Sequence, residues 1–461
     1  MGPTQTIQDV LRKIGKFLTS SESKCLYDYF AAGDFTRSGP INPAQLIVND
    51  LLNFGQSCAT SARSLRDDFG IVTPELLREG TGVSPSAVSQ ARLKIPPKIW
   101  EELNKIVIEA FNTRPGLLTF KGYPVVSVDG TIVWSNALIS SDFEKYLTPV
   151  QRARLAKRKK KKGAYHEQLQ MLMLFDPLNQ IHLGHAVEMQ VLSERDLLLP
   201  FLDQMTRGQL ALLDRGYPAA WLFVEMMRRE VEFVTRLRKD HSKAVEEFFA
   251  GDKNDGWLDL PIVDASADKL KELRTPMPES RSVRVRVLRV RDDDGKELLL
   301  ATSLSETTAS PAELADLYCH RWEIEKEICT FKQPLCLEGW RSFCKHGIEY
   351  DLGAKALAYN LMKLMSWPVR QEFQAQGLSG SGFRKVVCDT RALGELRPAL
   401  LPILRKMVGG KPRELTAEEL LQRFEQEVRH KPSVIDPTRK RPLGNNRGKP
   451  DRRHLSQRKH P

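Results

Sequence analysis

The 461-residue sequence has no run approaching the roughly 18 consecutive apolar residues that a membrane-spanning helix needs. It has no recognisable export leader. The opening MGPTQT matches a loose acylation pattern through Gly2 and Thr6, but Pro3 and the polar context make that match a coincidence. A cytoplasmic protein without membrane contact is expected. Cysteine is scarce: there are seven, an odd number, and none are in CxxC spacing. Cys329, Cys336 and Cys344 with His346 have the wrong gaps for a zinc knuckle, so reduced structural thiols are expected. Negative charge is also in deficit. Against 70 Lys and Arg stand 58 Asp and Glu, leaving a net charge of +12. That balance suits a polyanionic partner and carries no information about fold. The length allows about three domains, and 41% apolar residues suffice for ordinary cores.

Residues 314–332, LADLYCHRWEIEKEICTFK, are the most informative stretch. At about 100° per residue, Leu317, Ile324, Ile328 and Phe331 fall on one narrow stripe, which predicts a helix with one buried side. Tyr318, Arg321, Glu325 and Lys332 form a second stripe within an arc of about 60° and would face the same thing. Read as charges alone, they make a solvated face with two ion pairs.

Two further carboxylates stand where apolar runs stop. Tyr123 to Val128 reads as a short strand ending at Asp129-Gly130, followed by Thr131 to Trp134. Asp-Gly between apolar runs is a hairpin signal, so Asp129 reads as a turn residue. A carboxylate at a strand end is also held rigidly enough to ligate metal. Gln209 to Leu213 reads as a strand ending at Asp214-Arg215-Gly216-Tyr217, before a helix from Ala219 to Arg229 in which Asp214 would be an ordinary N-cap.

Elsewhere, residues 1 to about 70 read as helices with loops. In 73–95, Thr73 caps a short helix broken by Gly80 and Gly82, and Ser84 with Pro85 caps a second containing Val88 and Arg92. Helix, glycine turn, helix is the outline of a helix-turn-helix, with Ser86, Ser89 and Arg92 as outward DNA-contact candidates. Short capped helices joined by glycine occur in any helical domain. The run Lys157 to Lys162, which includes Lys159 and Lys160, repels itself and can neutralise phosphates without reading sequence. Two strands are expected at 168–175 and 180–187, then a helix at 194–205 and a strand at 231–237 bearing Arg236, with Arg238 just beyond. From about 240 to 305 the pattern is β-rich. Ser282 to Val290 alternates Val with Arg, which predicts a sheet with one wet, basic face. A helix is expected at 351–367. Residues 431–461 are basic and poor in apolar side chains, and are expected to be disordered in isolation.

The spacing Tyr318-x2-Arg321-x3-Glu325-x6-Lys332 resembles the YREK signature of bacterial insertion-sequence transposases of the IS4 family. DRGY at 214–217 resembles the motif carrying the second catalytic Asp there, and Arg236 with Arg238 resemble a basic pair that members set against DNA. The resemblance covers most of residues 75 to 370. It implies an α/β fold: an RNase H-like catalytic core interrupted by a β-rich insertion, with N-terminal and C-terminal helical regions. The implied divisions are 1–112, an N-terminal helical DNA-binding region; 113–239, the first part of the core; 240–305, the insertion; 306–370, the second part with the YREK helix; 371–430, a C-terminal helical region; and 431–461, a basic tail.

Under the resemblance, Asp129, Asp214 and Glu325 are the catalytic acids and hold Mg²⁺, with Mn²⁺ able to substitute. Tyr318, Arg321, Lys332, Arg236, Arg238, Arg92, Lys159 and Lys160 would bind DNA. The implied activity is cleavage at terminal inverted repeats and strand transfer into target DNA, by cut and paste. The implied partner is double-stranded DNA, both element ends and target, bound by a dimer assembled on it in a bacterial nucleoid. The alternative is a retired transposase acting as a DNA-binding regulator or inhibitor. The sequence departs from family members that place a base-stacking Trp in the insertion. It has Lys296, Glu297 and Leu298 at that point, and Trp257 is the nearest substitute.

Overall fold

The computed structural model describes residues 3–20, 25–32, 34–35, 41–69, 83–135, 137–162, 168–205, 208–291, 295, 297–378, 383–409 and 415–435. Among them the apolar runs build one eight-stranded mixed sheet. In chain order its strands are β1 (Val125–Trp134), β2 (Gln168–Asp176), β3 (Ile181–Met189), β4 (Leu210–Leu213), β5 (Glu232–Leu237), β6 (Asp255–Pro261), β7 (Ser282–Arg291) and β8 (Glu297–Thr302). Their spatial order is β3-β2-β1-β4-β5-β8-β7-β6. The central strands β1, β4 and β5 run parallel, and the flanking pairs are antiparallel. β4 reads LALL and is buried throughout, as a strand covered on both faces must be. The strands of 240–302 extend this same sheet on its β5 side, with helices Lys243–Ala250 and Asp264–Glu272 between them.

Alternation along β1 assigns the two faces. Val126 and Val128 pack with helices Glu194–Leu202 and Ala220–Arg228 in one core. Val125, with Leu210, Leu212 and Val234, packs against helix Pro311–Cys319 in another. A third core collects the helices of both chain ends around Lys345–Met365 and joins them to β2 and β3. That helix is buried on nearly every side, which suits a central position, and its buried Asp351, Lys355, Asn360 and Lys363 each find polar partners.

Several expectations need correction. The Asp-Gly pair makes no hairpin. β1 continues through it, Asp129 opposite Met173 and Gly130 opposite Leu172, because β2 offers a long partner strand to which the local turn preference yields. The stretch 314–332 is two helices, Pro311–Cys319 and Glu323–Lys332, joined by a 3-10 turn at His320–Trp322. The apolar stripe survives the break, with Leu317, Ile324, Ile328 and Phe331 all buried. The Arg side of β7 is only partly wet. Arg286 is buried, bound to Asp255 at 2.6 and 2.8 Å and to the carbonyl of Ala309 at 2.8 Å, because residues 304–309 cover that face. Ser84 caps helix Pro85–Lys94 as expected, its side chain accepting from Ala87 N. The preceding helix from Thr73, with Gly80 and Gly82, lies outside the described residues, as does the tail from 436. No helix among the described residues is long and apolar enough to cross a membrane.

Candidate active site

Strand register brings the two aspartates together. β1 and β4 are parallel, and their last pair is Val128 with Leu213, so Asp129 and Asp214 are the next residues on neighbouring chains. Asp129 continues as strand, whereas Asp214 opens the loop 214–219 where β4 stops. That loop is fixed from several sides. Tyr318 Oη donates to Leu213 O at 3.2 Å, Thr235 Oγ1 to Asp214 O at 3.3 Å, and Arg195 to Gly216 O at 2.8 and 3.1 Å.

The third carboxylate comes from helix Glu323–Lys332, which lies against β1 and β2. Its anchor is Arg321. The Arg321 guanidinium reaches Glu325 Oε1 at 3.3 Å, Asp129 Oδ2 at 3.5 Å and Asp214 Oδ1 at 3.8 Å. All three acids named from sequence therefore converge on one cation. Arg321 is only 4% exposed, and its Nε has no hydrogen-bond partner. Burial works against its charge, while Tyr318, Asp214, Asp129 and Glu325 outweigh burial and raise its pKa.

The acids repel one another. Burial pushes the Asp129 carboxyl up to about 7; Arg321 pulls it down, and Asp214 and Glu194 add to the rise. The Gly130 N–H donates to Asp129 Oδ1 at 2.9 Å. Every acid here offers hard oxygen, the donor type that Mg²⁺ and Mn²⁺ prefer. Among the described residues, no group of three or more His, Cys, Asp or Glu is spaced to hold a metal ion. At this site the guanidinium lies among the carboxylates.

Other residues named from sequence fare differently. Tyr318 is buried rather than outward-facing, its hydroxyl donating to the Leu213 carbonyl and lying beside the Arg321 guanidinium. Lys332 is exposed at the rim and donates to Ile132 O at 3.1 Å. Arg236 is half-buried on β5, and Arg238 is exposed and paired with Asp240 at 2.7 Å. Arg92, expected to point outward, is 4% exposed and bound to Asp50, because it shares the inward face of its helix with Val88. Asp50 also takes Arg341 and Tyr350, so this cluster ties Pro85–Lys94 to the central helix. Lys159 and Lys160 lie on helix Pro149–Lys162, with side chains outside the described residues. Trp257 donates to Glu306 at 2.6 Å.

The sequence reading missed Glu194, and it gave Tyr217 no role beyond its place in the DRGY motif. Glu194 opens a helix behind a Ser193 capping box, which already accounts for an acid there, so no pattern singled it out. Its carboxylate accepts from Gln170 Nε2 at 3.3 Å. Burial raises its pKa, the Tyr217 hydroxyl opposes that, and Asp214 adds to it.

Comparison with known proteins gives the family. The family described as "Transposase DDE domain" matches residues 121–361, which include all three converging acids. The chain is similar to the transposase InsG for insertion sequence element IS4 of Escherichia coli K12, 25% identical over 345 residues, spanning 68% of this chain and 73% of that one. Among solved structures it resembles the piggyBac transposase synaptic complex with hairpin DNA at a TM-score of 0.38 and 9% identity, over 92% of this chain and 82% of that one. That score establishes no correspondence of fold. DDE-domain transposases are DNA-cleaving and strand-transferring enzymes that use divalent metal ions. By the extent of the family match and the acids it contains, the chain belongs to the DDE transposases of the IS4 family.

Proposed function

We propose that this chain is a cut-and-paste transposase that nicks DNA at the terminal inverted repeats of its element and transfers the exposed 3′-OH into target DNA. Asp129, Asp214 and Glu325 are the catalytic acids. The observation that carries this reading is the convergence of all three on Arg321, within 3.3 to 3.8 Å. The order 3-2-1-4-5 of the first five strands, parallel across β1, β4 and β5, supports an RNase H-like core. β6 to β8 then belong to the β-rich insertion, 240–305, between core segments 113–239 and 306–370. Residues 1–112 and 371–430 are helical regions around the core, the first binding DNA, and 431–461 is a basic tail.

The acids would hold Mg²⁺, with Mn²⁺ substituting. Bound divalent metal would activate the attacking oxygen and stabilise charge on the scissile phosphate and the leaving oxygen. Arg321 keeps the carboxylates oriented in its absence. It must also give ground before oxygen ligands can close on a cation, and a DNA phosphate is the natural new partner for its guanidinium. Lys332, Arg236 and Arg238 offer further cationic contacts, and the lysines of helix Pro149–Lys162 a non-specific one. The protein acts as a dimer assembled on the element ends.

The test is cleavage of a labelled element-end fragment in Mg²⁺. Wild type should nick at the repeat terminus, and Asp129→Asn, Asp214→Asn and Glu325→Gln should each lose at least a hundredfold while still binding the fragment. Equal cleavage by wild type and all three variants removes the site assignment. Binding without cleavage by wild type points to a retired transposase acting as a regulator.

A further inference from the structure

We propose that Glu327, through its buried hydrogen bond to His182, is a positioning residue that fixes the rotation of helix Glu323–Lys332 and so aims Glu325 at the two aspartates. The inference rests on the reading of the acidic trio above and extends it to the side of the helix away from the site.

Glu327 follows Glu325 by two residues, about 200° round the helix axis. It is 2% exposed, among the buried Ile324, Ile328 and Phe331. Its Oε1 lies 2.7 Å from His182 Nδ1 on β3, and His182 Nε2 lies 3.0 Å from His185 Nδ1. Phe331 packs on the same imidazole, the ring centres 5.2 Å apart. The backbone of His182 is itself clamped. Its N–H donates to Asn360 Oδ1 at 2.9 Å, and its carbonyl accepts from Asn360 Nδ2 at 2.8 Å. Asn360 stands on helix Lys345–Met365 and also donates to Asn104 of helix Lys98–Asn112 at 2.8 Å. One polar chain thus runs from the helix bearing Glu325, through an edge strand, to the central helix.

Burial raises the Glu327 carboxyl well above its ordinary range and lowers His182 to about 3, so the bond joins uncharged groups. Stability does not explain the pair. A carboxyl in an apolar core costs free energy, and Glu327 Oε2 has no hydrogen-bond partner. What the bond adds is direction, which apolar contacts lack. The helix needs that restraint because Arg321 and Lys332 turn to phosphate in the reading above. A side-chain tip stands about 5–6 Å from its helix axis, so a rotation of about 10° carries it about 1 Å. A misplacement of about 1 Å can cost about a hundredfold in rate.

The experiment is single-turnover cleavage of the labelled element-end fragment in Mg²⁺ by excess full-length protein. Affinity for the fragment in EDTA and melting temperature are read in parallel. Glu327→Gln keeps the shape and a hydrogen bond to the imidazole, and should cleave within about threefold of wild type. Glu327→Met combined with His182→Leu exchanges the pair for apolar side chains of similar size. That double variant should stay folded and bind the fragment as wild type does, yet cleave at least about tenfold more slowly. A wild-type cleavage rate in the double variant overturns the proposal, and leaves the trio standing if Asp129→Asn is inactive. Cleavage and affinity falling together, or loss of the fold, mark the pair as packing only and overturn it. So does a Glu327→Gln variant as slow as the double. No cleavage by wild type overturns both readings.

Discussion

Replacing Asp129 by Asn should stabilise the metal-free protein, and the gain should grow with pH. The Asp129 carboxyl is raised from 3.8 to about 7, by burial first and then by Asp214 and Glu194, even though Arg321 opposes the shift. A carboxyl with a raised folded pKa holds its proton more tightly in the folded state. Its ionisation therefore costs nothing below about pH 4, where both states are protonated, and costs stability progressively as pH rises through about 7. At about 1.4 kcal/mol per pKa unit the full penalty is about 4 kcal/mol, an upper bound because side chains relax and water enters. Asparagine keeps the shape and removes the charge. With an unfolding entropy near ~2 cal/mol/K per residue, a gain of about 1–4 kcal/mol in a chain of this size corresponds to roughly 1–4 °C in melting temperature. The assay is differential scanning fluorimetry in EDTA from pH 4 to 8.5, then with Mg²⁺ added. Asp129→Asn should match wild type at pH 4, melt higher at pH 8 and fail to respond to Mg²⁺, whereas wild type should recover with the metal. A variant that melts lower than wild type at pH 8 in EDTA would refute the crowding argument, since Asp129 would then contribute net stability through Arg321.

Arg92→Gln should cost about 3 kcal/mol, the low end for breaking a buried ion pair, because Asp50 loses its two-pronged partner but keeps Arg341 and Tyr350. Chemical denaturation measures this, and a DNA-binding defect at unchanged stability would restore Arg92 to the DNA-contact candidates. Lys332→Gln should leave the melting temperature within about 1 °C, since its side chain is exposed and makes a single carbonyl contact. The same variant should lower the slope of log affinity for an element-end duplex against log salt by about one. An unchanged slope would remove Lys332 from the DNA-contacting set.

What could be read in the sequence was periodic or fixed by spacing. The stripe Leu317, Ile324, Ile328, Phe331 is buried as expected: a 3.6-residue period sets Ile324, Ile328 and Phe331 on one side of their helix, while Leu317 is buried in a different core on the helix before the 3-10 turn. Strand β7 was legible from its period of two, and the Ser84 cap from the local bond between its hydroxyl and the helix it opens. The acids were legible as a trio through the order and spacing of their motifs, each alone having an ordinary explanation.

Contacts between distant segments set the rest. Asp129-Gly130 has the letters of a turn, and only β2 lying alongside made it continuous strand. Arg92 and Tyr318 carry polar side chains that local pattern puts outside. Asp50, 42 residues from Arg92, and the Leu213 carbonyl, 105 residues from Tyr318, draw them in. Glu194 joins the acids because a glycine on another strand leaves room for it, a fact of shape between segments that no single stretch encodes. Sequence alone determined which residues are candidates for the chemistry, since residue type and spacing are properties of the chain. Tertiary structure decided which of them meet, because parallel register, the early end of β4 and the burial of Arg321 arise only when separate segments pack.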